Sequence, residues 1–168
     1  MRNHAISRLT LILLSLLISL ALPLNSMAQE PAPNAPTAAG DLDPTFGGLG
    51  GDGRVSISGM VTRAMALQPD GKIVVVGIDG GDLIVRRYLP NGDPDRGFGV
   101  DGTFRITLGT GAPCNTDYSC GVALQADGKI VVAADSDMGG NEDFAVLRLT
   151  PNGQLDQTFG AGGLAYTD

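Results

Sequence analysis

The chain has 168 residues, of which 25 are glycine, 10 proline, two cysteine and one histidine, with no tryptophan. That histidine, His4, lies in a segment read below as cleaved, so imidazole-dependent catalysis and histidine-ligated metal sites are excluded from the mature chain. With 11 basic residues against 18 acidic ones and 17% charged residues, the chain carries no electrostatic footprint for nucleic acid and is not disordered through charge.

In chain order, the first 28 residues read as a leader. Arg2 and Arg8 precede an apolar run, Leu9 to Leu24, broken only by Thr10, Ser15, Ser19 and Pro23. Ser26-Met27-Ala28 then places small residues at the −3 and −1 positions of a cleavage site before Gln29, which completes a secretory signal peptide. The run is short for a membrane span, and no cysteine follows it for lipid attachment. The expected location is outside the cytoplasm: periplasm, cell surface or medium. Residues 29–40, with three prolines and four alanines, read as an extended linker.

From residue 41 onward the chain is one unit written twice, with fragments at both ends. Leu42-Asp-Pro-Thr-Phe-Gly47 returns as Pro94-Asp-Arg-Gly-Phe-Gly99 and as Leu155-Asp-Gln-Thr-Phe-Gly160. Leu67-Gln-Pro-Asp-Gly-Lys-Ile-Val-Val-Val-Gly77 returns as Leu124-Gln-Ala-Asp-Gly-Lys-Ile-Val-Val-Ala-Ala134, and Arg87-Tyr-Leu-Pro-Asn-Gly92 as Arg148-Leu-Thr-Pro-Asn-Gly153. The phenylalanines Phe46, Phe98 and Phe159 stand 52 and 61 residues apart, a period that marks a repeat architecture. The units are bounded near 41–99 and 100–168.

Each unit predicts four short strands. They are Thr62–Gln68, Lys72–Ile78, Leu83–Leu89 and Thr103–Leu108, then Gly121–Gln125, Lys129–Asp135, Phe144–Thr150 and Leu164–Thr167; Arg54–Ser58 is expected as an additional N-terminal strand. Asp70-Gly71 and Asp127-Gly128 supply the positive φ that a tight hairpin needs, and Asn91-Gly92 and Asn152-Gly153 mark a second turn. The second strands, Ile73-Val-Val-Val76 and Ile130-Val-Val-Ala133, are apolar throughout rather than alternating. Such a strand is expected to be covered on both faces, with Val74, Val75, Val131 and Val132 sandwiched between neighbouring sheets. The fold class that follows is all-β: two four-stranded antiparallel blades of a partial or oligomer-completed β-propeller. Two blades do not close a ring, so the expectation is either a piece of a longer propeller protein or a ring closed by several copies.

The combination LDxxFG, LQxDGKI and RxxPNG resembles the delta-60 repeat, a bacterial propeller-type repeat family of unknown function, over about residues 41–168. The resemblance implies fold and export, and it brings no activity, substrate or cofactor. The middle copy departs from the pattern: it keeps Asp95 but lacks the leucine before it, and Gly97 precedes Phe98.

The recurrent residues are read as structural. Asp43, Asp95 and Asp156 each precede a repeat phenylalanine by three positions and are expected to cap a turn or pair with the blade arginines Arg87 and Arg148, with the phenylalanine filling the wedge between blades. A ligand-binding ring of these residues is the functional alternative. Asp70 and Asp127, flanked by Lys72 and Lys129, are read as turn residues.

Function is sought in the loops that differ. Residues 135–143 carry alternating carboxylates that could hold calcium without the full EF-hand pattern; a solvated hairpin loop is the other reading. Residues 109–119 form an insertion containing Cys114, and with Cys120 it is expected to be stapled by a disulfide. The sequence supplies no nucleophile–base pair, so the reading is a secreted, non-catalytic structural or binding module with no cofactor. The alternatives are a carboxylate- or calcium-assisted hydrolase and a lectin-like carbohydrate binder built from associated two-blade chains. Expected partners are further blades, a second copy, or a carbohydrate or protein ligand, and not nucleic acid.

Overall fold

Glycine-aspartate turns separate short β-branched runs, and each run becomes one strand of a meander. The computed structural model describes residues 38–48, 51–109, 113–114, 120–136 and 143–167; the leader and most of the linker lie outside these. The described residues form eight strands: β1 Val61–Leu67, β2 Ile73–Asp79, β3 Asp82–Tyr88, β4 Thr103–Ile106, β5 Cys120–Leu124, β6 Ile130–Ser136, β7 Asp143–Leu149 and β8 Leu164–Thr167. They form two four-stranded sheets, ordered β1-β2-β3-β4 and β5-β6-β7-β8, with every neighbouring pair antiparallel. There is no helix among the described residues.

The first hairpin of each sheet closes in the same way. The Gln68 amide donates to the Lys72 carbonyl at 2.8 Å, and the Gln125 amide to that of Lys129 at 2.9 Å. Gly71 and Gly128 sit at φ of 82° and 81°, a region open to glycine without a Cβ penalty. The carboxylates of Asp70 and Asp127 each accept the amide two residues on, at 3.2 Å in both turns.

Strand alternation gives each sheet two faces. On the first sheet Val74, Val76, Leu83 and Val85 share one face, here called trailing, and Ile73, Val75, Ile84 and Tyr88 the other, the leading face. The main core joins the trailing face of the first sheet to the leading face of the second, where Ile130, Val132, Ala134, Ala145, Leu147 and Leu149 are buried. Thus the blades stack head to tail. Full burial of such a side chain is worth about 1.5–3 kcal/mol, so this interface supplies much of the stability. A smaller core on the leading face of the first sheet packs Val75, Ile84 and Tyr88 against Met60 and Ile57.

Two expectations are corrected. Arg54–Ser58 is not a strand: the fourth strands β4 and β8 pair with the third strand of their own sheet, and no described third strand lies beside residues 54–57. Val131 is not sandwiched. Val74, Val75 and Val132 are buried, but Val131 lies with Ala133 and Val146 on the trailing face of the second sheet, which no described sheet covers.

Candidate functional site

The repeated polar residues converge on one corner of each blade. On β3, Arg87 donates from Nε to Asp95 Oδ2 at 2.9 Å; on β7, Arg148 does the same to Asp156 at 2.8 Å. Each guanidinium lies over its repeat phenylalanine, 4.5 Å from the Phe98 centroid and 4.7 Å from that of Phe159. The lysine of each first hairpin faces the same carboxylate, Lys72 at 3.7 Å from Asp95 and Lys129 at 3.4 Å from Asp156. The second carboxylate oxygen caps the turn: Asp95 accepts the Gly97 amide at 3.1 Å, and Asp156 accepts the Thr158 amide at 3.0 Å and its hydroxyl at 2.7 Å. One aspartate therefore both caps a turn and binds the arginine.

Electrostatics follow from these contacts. The Thr158 hydroxyl and amide, together with Lys129 and Arg148, hold the Asp156 carboxyl well below the usual carboxylate range against the opposing effect of burial. Asp70 and Asp127 are lowered chiefly by the lysine two residues on, and Lys129 is raised in turn by Asp127 and Asp156. Asp43 is lowered by the Thr45 hydroxyl and amide, at 2.6 and 2.8 Å. No arginine reaches Asp43 among the described residues, and no described third strand stands beside the first fragment to carry one.

A second element of the motif, which the sequence reading missed, ties one blade to the next. The Gly99 amide donates to the Asn152 carbonyl at 2.9 Å, and the Gly47 amide to the Asn91 carbonyl at 2.9 Å. The phenylalanine before each of these glycines rests on the glycine of the turn it reaches. A Cβ at Gly153 would come within 2.8 Å of the Phe98 ring, and one at Gly92 within 3.2 Å of the Phe46 ring. Phe98 is fully buried there, and Arg87 also donates across the boundary to the Pro151 carbonyl. The Phe-Gly of one unit and the Asn-Gly of the following unit make a latch. Both dipeptides are visible in the sequence, but their pairing across about 50 residues is not.

One polar network is not repeated. Arg105 on β4 donates to Asp82 Oδ2 at 2.6 Å and to Asp79 Oδ2 at 2.7 Å, and the Thr107 hydroxyl donates to Asp82 Oδ1 at 2.6 Å. It closes the β2–β3 hairpin onto the outer strand. Arg105 also borders an open groove of about 500 Å³ between the blades, lined further by Gly99, Val100, Phe104 and Gln154. A smaller groove of about 250 Å³ runs beside Arg86, Tyr88, Pro94 and Asp101. Neither groove gathers three carboxylate, cysteine or histidine side chains, and no such group occurs among the described residues.

Cys114 and Cys120 are joined by a disulfide, with Cys114 buried in the inter-blade core and Cys120 packed against it. The bond anchors the crossover between the sheets to their shared core. Most of the 135–143 loop, where calcium ligation was considered, lies outside the described residues.

Stacked four-stranded antiparallel meanders, latched head to tail, define blades of a β-propeller. Two segments, 68–98 and 125–159, match the family model described as "Domain of unknown function (DUF5122) beta-propeller", one segment in each blade. Over these segments each unit is similar to that propeller-type domain, whose function is unknown. No curated protein and no solved structure matches the chain.

Proposed function

We infer that this chain is an exported, non-catalytic propeller module of the delta-60 type, serving a structural or binding role outside the cytoplasm. The observation that carries this reading is the engagement of the repeated charged groups. Arg87 with Asp95 and Arg148 with Asp156 bind each other, cap turns and stack on phenylalanine, so the repeat's chemistry goes into building and joining blades. The delta-60 assignment rests on the LDxxFG, LQxDGKI and RxxPNG motifs. Export rests on the leader at 1–28, and the Cys114–Cys120 bond agrees with an oxidising compartment.

Expression of the full chain in a bacterial host with an intact export pathway tests the reading. The expected product leaves the cytoplasm with Gln29 as its first residue and shows no turnover of ester, glycoside or phosphoester substrates. Retention in the cytoplasm with residues 1–28 attached overturns export. Turnover that co-purifies with the chain and disappears on Asp82→Asn overturns the non-catalytic role.

A further inference from the structure

Two asparagine–glycine pairs stand where one blade is joined to the next. The Asn91 and Asn152 carbonyls are the acceptors of the Gly47 and Gly99 amides across the blade boundaries. Both asparagines are exposed, whereas the glycines that follow them, Gly92 and Gly153, are buried. Asparagine before glycine is the pair best suited to an internal displacement. The side-chain amide carbon and the next main-chain nitrogen can close a small, unstrained ring, and glycine has no side chain to obstruct their approach.

The folded turn restrains that chemistry unequally in the two blades. One restraint is shared: the Gly92 amide donates to the Leu89 carbonyl and the Gly153 amide to that of Thr150, both at 2.9 Å. The side chains differ. Asn91 is held at both ends by Asp93: its Oδ1 accepts the Asp93 amide at 3.2 Å, and its Nδ2 donates to the Asp93 carboxylate at 2.8 Å. The second of these is a charge-assisted bond, and it holds the very nitrogen that would have to leave. Gln154 takes the place of Asp93 in the second blade, and there Asn152 meets a different group. The Thr150 hydroxyl donates to its Oδ1 at 2.7 Å, which draws electron density from the amide carbon and makes it a better electrophile. Leu89 occupies the place of Thr150 in the first blade and offers no hydroxyl.

We propose that Asn152 is a self-modification site whose deamidation through Gly153 opens the joint between the two blades, while Asp93 protects Asn91 from the same reaction. The only co-reactant is water. The Gly153 nitrogen attacks Asn152 Cγ and gives up its proton to solvent, and the side-chain nitrogen takes up a proton and leaves as ammonia, closing a succinimide. Water then opens the ring at either carbonyl. Breaking the bond from nitrogen to Cγ leaves aspartate, with the main chain unaltered. Breaking the bond from nitrogen to the main-chain carbonyl carbon leaves isoaspartate, in which the chain runs through Cβ and Cγ. The carbonyl that received the Gly99 amide is then a carboxylate standing off the main chain, and Gly153 is pushed outward by one atom. The joint has no space for that shift. Even a Cβ on Gly153 would come within 2.8 Å of the Phe98 ring and 2.7 Å of the Gly99 nitrogen, and Phe98 is fully buried there. The proposal concerns the lifetime of the joint; it goes beyond the scaffold role above and does not depend on it.

The full chain is aged in mildly alkaline buffer beside the same chain unfolded in urea, and isoaspartate is mapped on proteolytic peptides by mass spectrometry. The unfolded chain gives the unrestrained rate at each site, against which the folded rate is taken. Expected is a folded-state rate at Asn152 about ten-fold above that at Asn91, the equivalent of one hydrogen bond to a charged group. Asp93→Ala is expected to raise the Asn91 rate about ten-fold and to leave that of Asn152 unchanged. The isoaspartate fraction, separated by its added negative charge, is expected to unfold at a lower denaturant midpoint than fresh chain. Asn152→Gln, whose longer side chain closes such a ring poorly, is expected to keep its midpoint through the same ageing. An Asn152 that stays intact while the unfolded chain reacts overturns the proposal. So does an Asn91 that reacts as fast, an Asn91 rate indifferent to Asp93→Ala, or an isoaspartate fraction with the midpoint of fresh chain.

Discussion

Gly153 and Gly128 carry nearly the same backbone strain in different surroundings, which isolates the energy of the blade-to-blade latch. Their φ angles are 79° and 81°. A methyl group at Gly128 would meet only Pro151, its Cγ at 3.4 Å and Cβ at 3.7 Å, whereas one at Gly153 would stand 2.7 Å from the Gly99 amide nitrogen and 2.8 Å from the Phe98 ring. Gly128→Ala thus adds the left-handed penalty, about 1–2 kcal/mol, partly offset by the smaller unfolded-state entropy of alanine, for a net loss of about 1 kcal/mol. Gly153→Ala carries the same loss plus overpacking of a buried ring and backbone, typically about 1–3 kcal/mol, for a total of about 3 kcal/mol. For a domain of this size that corresponds to roughly 4 °C against roughly 12 °C in Tm. Guanidinium titrations of both variants, followed by circular dichroism, give the two losses on one scale. Losses equal to within about 0.5 kcal/mol would refute the latch as an energetic joint between the blades.

Phe98→Ala is expected to cost about 3–5 kcal/mol, because the ring is wholly buried between the sheets, and Phe159→Ala less, because its ring is only half-buried; denaturant midpoints of the two variants decide the order. The Asp156 carboxyl titrates lower in the folded chain than in the unfolded one, so the unfolded state binds more protons, and its stabilising effect is full above about pH 4 and lost as pH falls through the folded value. Melting temperature should accordingly fall on acidification below about pH 4, and Asp156→Asn should be less stable at neutral pH with a shallower decline in that acid window; an unchanged acid slope contradicts the assignment. Replacing Cys114 and Cys120 together by alanine should remove about 2 kcal/mol, the chain-entropy value for so short a closed loop, while far-ultraviolet circular dichroism retains both sheets. Loss of the sheet signal would show that the disulfide supports the blades rather than their crossover.

Much of the fold was legible because the signals are local. Asp-Gly and Asn-Gly turns fix where strands end, and the apolar runs at Ile73 and Ile130 mark strands that reach the core. Arg54–Ser58 reads as a strand for the same local reasons, but a ladder needs a neighbour, and neighbours are not local. Val131 misleads in the same way. Its composition suits burial on both faces, and its exposure depends on whether another sheet stands beside it. The Phe-Gly to Asn-Gly latch was hidden by distance along the chain. The Arg105 network was hidden by uniqueness: without a second copy, nothing in the sequence ties Arg105 to Asp79 and Asp82, although the structure brings all three to one rim.

Repetition also gives the molecule an internal control. Arg87 and Arg148 occupy the same place in their sheets and make the same pair with the same aspartate, yet their remaining nitrogens diverge. Arg87 reaches across to the Pro151 carbonyl of the following blade, whereas Arg148 turns back to the Thr158 hydroxyl at 3.2 Å within its own. The difference lies both in what stands beyond the trailing face and in the unit itself, since Gly97 takes the place of Thr158 in the first blade. The same comparison separates Phe98, sealed by Gly153, from Phe159, which meets no such turn among the described residues. A repeat residue of this kind has an intrablade duty that its own unit satisfies and an interblade duty that only a neighbour can satisfy. The second duty is left open at Met65 and Leu67, which stay 69% and 67% exposed on a face that no described sheet covers.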